Sequence, residues 1–189
     1  GNSFSIVIAS LFIDFLPLLP LQILLINVLC DLPMITIASD TVDLDELKHP
    51  QTYNLKNLMS TASFLALTSS FFDFLTMALF YHKGPSVLRT NWFIESILSE
   101  LTLIYSVRTK GVFYKAHRPS GLLLSTSALA AVITVFLPLT TWGQSVFGFI
   151  APHWQDLAII GAIGVSYFFT TEVVKLLYYR YKKAHRIKL

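Results

Sequence analysis

Long apolar runs separated by short polar loops set the pattern of this chain. A helix that crosses about 30 Å of hydrocarbon needs roughly 20 apolar residues, and six runs approach or reach that length. The pattern therefore predicts an all-α fold, a polytopic membrane helix bundle of six transmembrane helices. The predicted helices run from near the start to about Leu16, where the first is truncated, and then over Leu18–Ile37, Leu58–Tyr81, Trp92–Val107, Leu122–Leu139 and Leu157–Tyr179.

Composition supports a membrane protein and excludes several other classes. Hydrophobic residues make up 54% of the chain and charged residues 13%, with a mean hydropathy of +0.62, whereas soluble domains carry roughly 25% charged residues. The single cysteine, Cys30, excludes an intramolecular disulfide framework and a thiol-rich zinc site. Basic residues lie at the predicted membrane edges and form no mixed basic and aromatic surface, so nucleic-acid binding is not expected.

The distribution of Lys and Arg predicts the orientation of the helices. Basic residues concentrate in the loops that face the cytoplasm, and 12 of the 14 Lys and Arg fall on one predicted side, leaving only Lys83 and Arg89 on the other. Six crossings then place both ends of the chain in the cytoplasm. A single membrane domain over residues 1–189 is expected, with cytoplasmic loops at about 38–57 and 108–119 and a cytoplasmic tail at about 180–189.

The second apolar run contains an amide and a carboxylate, Asn27 and Asp31, one helical turn apart. An ionisable group inside a membrane helix costs about 2.5–3.5 kcal/mol on insertion scales and usually marks an ion path. Pro33 follows, and because proline cannot donate a backbone hydrogen bond, we expect the helix to loosen beyond Asp31 and free carbonyl oxygens. Oxygen ligands of these kinds favour a hard cation such as Mg²⁺ or Ca²⁺.

Other acidic residues in the apolar runs are secondary candidates for an ion path. Glu95 and Glu100 lie about 140° apart around one helix, so at most one of them is expected to be a ligand. Glu100 is the preferred one, as the deeper of the two, and Glu95 is expected near the outer boundary. Asp73 is expected to make a structural hydrogen bond between helices, with the ion path as an alternative, and Asp14 to belong to an outward exit pathway.

Several segments in fixed order resemble the C-terminal membrane half of P-type cation-transporting ATPases. The resemblance covers essentially the whole chain, which is similar to the family's fifth to tenth membrane helices and begins partway along the fifth. The magnesium-transporting branch looks closest. The segments that carry the resemblance are Gly1–Ser5, Phe15–Gln22, Asn27–Asp31, Asp40–Pro50, Ser69–Thr76, and Trp92–Thr102 with Arg108 and Thr109.

The resemblance implies the ion-path half of an ATP-driven pump with an aspartyl-phosphate intermediate. The chain contains no Asp-Lys-Thr-Gly phosphorylation motif, no Thr-Gly-Glu motif and no nucleotide-binding domain, so by itself it is not expected to hydrolyse ATP. ATP would act only in the missing domains. The expected partners are the lipid bilayer and the N-terminal and cytoplasmic domains of the same pump. Because the chain begins with Gly1, we expect it to be the downstream piece of a longer protein.

The resemblance also implies a set of cation-binding residues. Asn27 and Asp31 match the amide and carboxylate of the family's sixth helix, and Asn2 falls where the fifth helix contributes an oxygen ligand. Glu100 stands where the magnesium branch often has glutamine, and Asp14 replaces a common proline. The transported ion is expected to be Mg²⁺, although these two departures bear on which ion is carried.

Two other interpretations of the sequence remain open at this stage. The chain is alternatively a stand-alone or remnant membrane protein that serves as a channel or a regulatory subunit. Within the pump interpretation, Ca²⁺ or protons replace Mg²⁺. The resemblance places the protein in a prokaryotic plasma (inner) membrane.

Overall fold

A computed structural model describes residues 2–40, 55–109, 111–113 and 117–186, except for the side chains of Asn2, residues 55–58 and residues 181–186. Within these ranges the protein is all-helical, as predicted, with no strand. Most of the predicted loop at 38–57 lies outside the described residues. The seven α-helices are α1 (Asn2–Ala9), α2 (Pro20–Thr36), α3 (Leu55–Phe80), α4 (Pro85–Val107), α5 (Gly121–Phe136), α6 (Thr141–Phe147) and α7 (Trp154–Arg186).

Four helical segments of the described chain are long and apolar enough to cross a membrane. They cover Pro20–Ser39, Met59–Lys83, Gly121–Leu139 and Trp154–Arg180. Each matches one predicted crossing to within a few residues. The other two predicted crossings, in the regions of α1 and α4, do not meet the same criteria, so six membrane helices are not confirmed.

Helix α1 ends earlier than predicted. It has eight residues, about 12 Å at 1.5 Å per residue, and gives way at Ser10 to turns that continue to Phe15. The last turn tightens because Leu11 and Phe12 donate their backbone N–H groups three residues back, to Ile8 and Ala9. The expectation that this helix extends to about Leu16 is therefore wrong.

Helix α4 is the central helix of the bundle, packed against α2, α3, α5 and α7. Thirteen of its 23 residues are buried, so neighbouring helices shield its charged residues Arg89, Glu95 and Glu100. It starts seven residues before the predicted Trp92, because Pro85 occupies the first helical turn, where a proline costs no hydrogen bond. With 23 residues, α4 is long enough to cross a membrane, but it is more polar than the four segments named above.

Trp92, the first residue of the fourth predicted crossing, lies inside the bundle and not at its surface. Its side chain is fully buried, and its indole Nε1 donates a hydrogen bond to Asp73 Oδ1 on α3 at 3.0 Å. Because α4 continues for two turns beyond this residue towards its N-terminus, Trp92 lies within the bundle. The exposed tryptophans are Trp142 and Trp154.

Helix α2 continues through Pro33 to Thr36, so the predicted loosening after Asp31 does not interrupt the helix. The proline removes the donor for one carbonyl, that of Leu29 one turn earlier. The Pro33 ring is buried, and packing holds the helix together around it. Near the end of α2, the hydroxyl oxygens of Thr36 and Thr126 lie 3.1 Å apart and join α2 to α5.

Ion pairs connect the ends of the bundle. At the end predicted to be cytoplasmic, Asp40 accepts hydrogen bonds from Arg108 Nε and from the backbone N–H of Ser120, both at 2.7 Å. At the other end, Lys83 pairs with Asp156 at the start of α7. These contacts fix the loops that join the helices.

Helix α7 also departs from the predicted boundaries. It continues to Arg186, so the tail expected from about residue 180 begins inside the helix. Lys175, which the charge count placed on the cytoplasmic side, lies inside the predicted crossing, where its buried ammonium group pairs with Glu172 at 2.6 Å. The charge bias towards one side persists without it.

Candidate cation site

Asn27 and Asp31 lie on one exposed face of α2, as their four-residue spacing predicts. The opposite face of the helix is buried and carries Ile26, Leu29 and Cys30. The side chains of Asn27 and Asp31 make no hydrogen bond or salt bridge to the described part of the chain. Both groups therefore keep free oxygen atoms near the middle of the span Pro20–Ser39.

Glu100 on α4 lies beside Cys30 of α2, the residue that precedes Asp31. The Cys30 thiol and the Glu100 carboxyl group are neighbours, and Asp31 is near enough for its charge to act on both. Glu100 is half-buried and Cys30 is buried. Glu100 thus lies near enough to Asp31 for the two charges to interact across the α2–α4 contact, and no sequence pattern within one helix reveals this.

Glu95 is the more deeply buried of the two glutamates, contrary to expectation. Only 2% of its surface is exposed, because α4 is enclosed by other helices at this level. Neither carboxylate oxygen has a hydrogen-bond partner among the described residues, and Ser99, one turn further on, donates its hydroxyl to the carbonyl of Ser96 instead. The sequence analysis also missed Asn91, whose buried Oδ1 atom lacks a partner in the same way.

Asp73 makes the interhelical hydrogen bonds that were expected of it, with partners that the sequence does not reveal. Its Oδ2 atom accepts from Ser5 Oγ on α1 at 2.5 Å and its Oδ1 atom from Trp92 Nε1 on α4. The side chain is 1% exposed. Asp73 therefore joins three helices, and these two bonds engage both carboxylate oxygens.

The remaining candidates stand apart from the Asp31–Glu100 region. Asp14 is exposed in the turns between α1 and α2. Asn2 is the first residue of α1, and its side chain lies outside the described residues. The structure thus places Glu100 near Asp31, with Asn27 one turn from Asp31 on α2, while the contribution of Asn2 to the site stays a prediction.

The grouped residues fall short of a complete metal site. In the described ranges, no three His, Cys, Asp or Glu side chains come together in a way that holds a metal ion. Mg²⁺ is octahedral and retains water, so one or two carboxylates suffice when other oxygen ligands complete the shell. Asp31 and Glu100 supply the acidic ligands of such a partial site, and the amide of Asn27 supplies one neutral oxygen.

Comparison with known proteins identifies the family. Residues 15–177 match the family model described as the C-terminus of cation-transporting ATPases. The chain belongs to this family. The match spans α2 to most of α7 and five of the seven candidate residues, all except Asn2 and Asp14, so the resemblance seen in the sequence motifs is confirmed.

The relatives include magnesium-transporting P-type ATPases from two bacteria. The chain is 31% identical over 95% of its length to "Magnesium-transporting ATPase, P-type 1" of Salmonella typhimurium, covering 21% of that protein. It is 31% identical over 74% of its length to the protein of the same name in Escherichia coli K12, covering 16% of it. The chain thus spans about a fifth of these relatives and is an integral membrane protein of the cation-transport family.

Proposed function

We propose that this chain is the ion-path part of an ATP-driven pump that transports Mg²⁺ across a prokaryotic plasma membrane. Family membership supports cation transport, and the names of the bacterial relatives favour Mg²⁺. Six crossings with both ends in the cytoplasm follow if α1 is part of a longer helix and α4 crosses inside the bundle. Phosphorylation and ATP binding then belong to domains outside this chain.

The observation that carries the proposal is the exposed polar face of α2. An uncovered carboxylate at the middle of a membrane span costs about 2.5–3.5 kcal/mol, yet Asp31 and Asn27 face away from the bundle. A pump with additional membrane helices covers this face and adds oxygen ligands to those of α2. The cation then lies between these helices and the α2–α4 contact.

The assigned roles follow from position and chemistry. Asp31 is the principal charged ligand, Asn27 adds an amide oxygen, and Glu100 contributes the second negative charge from α4, with Asn2 as a further oxygen ligand from α1. Asp14 and Asp73 lie along the proposed path without being ligands. When the site closes, Coulomb attraction strengthens because water is excluded, and when it opens the affinity falls.

Cation-dependent thermal stability of the purified full-length protein tests the ion and the site together. Mg²⁺ is expected to raise the unfolding temperature more than Ca²⁺ does at the same concentration. Asp31→Asn should abolish the Mg²⁺ effect, whereas Glu100→Gln, which restores the side chain common in the magnesium branch, should keep it at reduced affinity. Equal or greater stabilisation by Ca²⁺ would contradict the assignment of the ion.

A further inference from the structure

A second group of polar atoms is buried around α4, away from the Asp31–Glu100 region. Glu95 is 2% exposed and Asn91, one turn earlier on the same face, is 1% exposed. Both oxygens of the Glu95 carboxylate and Oδ1 of Asn91 lack a hydrogen-bond partner among the described residues. Most buried polar atoms in proteins are paired, so this group of unpaired oxygens requires a ligand.

The charged and titratable groups near Glu95 do not include a cation. Asp73 acts on it from α3 and Tyr167 from α7, and both are acids. On α2 the ionisable groups Cys30 and Asp31 are associated with Glu100 instead, and α5 contains no ionisable residue.

Of the six basic side chains that the structure describes, Arg118 and Arg180 are exposed and the other four are engaged elsewhere. Lys175 pairs with Glu172, Arg108 with Asp40 and Lys83 with Asp156, and Arg89 donates to the carbonyl of Leu16 at 2.8 Å. The described residues therefore offer no basic partner for Glu95, which leaves a ligand from solution.

A proton satisfies these oxygens better than a metal ion. An ionised carboxylate without a partner is strongly disfavoured in a dry interior, and such a group neutralises by binding a proton. The resulting carboxylic acid has one O–H donor, and Asn91 Oδ1 is an acceptor one turn away. A metal ion here would find a single free carboxylate, that of Glu95, because both oxygens of the neighbouring Asp73 accept hydrogen bonds, and no three His, Cys, Asp or Glu side chains of the described residues come together to hold one.

We propose that Glu95 binds a proton at a site of its own, formed with Asn91 between α3, α4 and α7 and separate from the cation site at Asp31 and Glu100. The proton resides on the Glu95 carboxyl group and is hydrogen-bonded to Asn91 Oδ1. The protein then carries two kinds of ionic ligand in the same bundle. This site does not depend on which metal cation the protein transports.

Infrared spectroscopy of the full chain in lipid nanodiscs at neutral pH tests the proposal. A protonated carboxyl group gives a separate C=O stretching band that shifts when H₂O is exchanged for D₂O. We expect Glu95→Gln, which has nearly the same size and is neutral, to lose one such band. The band should persist in Asp31→Asn, and Asn91→Leu should shift it to higher frequency by removing the hydrogen bond.

The outcomes separate this proposal from the proposed function. If Glu95→Gln loses no carboxylic-acid band, Glu95 is ionised and the proposal is wrong. It is equally wrong if Glu95→Gln removes the stabilisation by Mg²⁺ as Asp31→Asn does, because Glu95 is then a metal ligand. Should Glu95→Gln fail to fold, Glu95→Asp provides the test, since it keeps the acid and must retain a band at an altered frequency.

Discussion

Two donors from different helices converge on the buried carboxylate of Asp73. Ser5 on α1 and Trp92 on α4 each donate to a separate oxygen. A hydrogen bond to a charged group contributes more than one between neutral groups, and its loss leaves a buried acceptor unsatisfied. Asp73 therefore connects α1, α3 and α4 with more specificity than apolar packing alone.

Removing the indole donor is expected to destabilise the bundle. Trp92→Phe keeps an aromatic ring and leaves Asp73 Oδ1 without its partner, at a cost of about 1–3 kcal/mol. The free energy of unfolding in mixed micelles measures it. The matched control is Trp154→Phe, because Trp154 is 75% exposed and its loss should change stability little. Equal stability of the two variants would contradict the role of the Asp73 bond.

Sequence patterns predict the positions of some of these side chains and not of others. The spacing of Asn27 and Asp31 within one helix correctly predicts a shared face. The burial of Glu95 and Trp92 depends on the helices that enclose α4, and no local pattern encodes those neighbours. The pairing of Cys30 with Glu100 is likewise a contact between helices that only the fold reveals.

The apolar pattern predicted four helices well, since a run long enough to cross a membrane has few alternatives to a helix. It failed for elements that differ from this simple pattern. Helix α4 is more polar because it is shielded by other helices, and α1 is too short to carry a clear boundary. The short α6 was not predicted, because its seven residues fall within a polar connection.

Helix α6 depends on close packing at one glycine. Thr140 caps the start of this helix, because its hydroxyl accepts a hydrogen bond from the N–H of Gly143 at 2.9 Å. Gly148 follows the last helical residue and has the left-handed conformation, with φ +67°. A Cβ atom on Gly143 would lie 2.1 Å from the carbonyl oxygen of Leu137. That distance is far below van der Waals contact, and the obstructing atom belongs to the backbone.

A pair of glycine substitutions tests this packing. Gly143→Ala should lower the free energy of unfolding by about 1–3 kcal/mol, the usual cost of overpacking. Gly161→Ala is the control, because Gly161 lies within α7 with nothing near its Cβ position, and alanine favours a helix by up to about 1 kcal/mol. If the two variants unfold with the same free energy, the close approach of α6 to Leu137 is not as described.

The number of times that the chain crosses the membrane depends on α4. If α4 crosses the membrane, the connections before and after it lie on opposite sides. His82 and His117 occupy these two connections, and His153 lies between α6 and α7; all three are exposed. The positive-inside rule puts His82 and His153 outside and His117 in the cytoplasm.

Single cysteine substitutions at these histidines give a direct measure of topology. We expect His82→Cys and His153→Cys to react with a membrane-impermeant maleimide in intact cells, and His117→Cys to react only after lysis. The native Cys30 is buried and should give little background. Labelling of His82→Cys and His117→Cys from the same side would show that α4 does not cross.

Uptake of Mg²⁺ by the full-length protein tests most directly whether Asp31 binds the transported cation. Mg²⁺ uptake is measured as a function of external Mg²⁺ concentration in cells without other Mg²⁺ transporters. The native protein is compared with Asp31→Asn and with the control Asp156→Asn, which makes the same chemical change far from the site. The account predicts that Asp31→Asn weakens the apparent affinity by at least about tenfold, or about 1.4 kcal/mol, while Asp156→Asn leaves it unchanged. Uptake by Asp31→Asn with native affinity would contradict it.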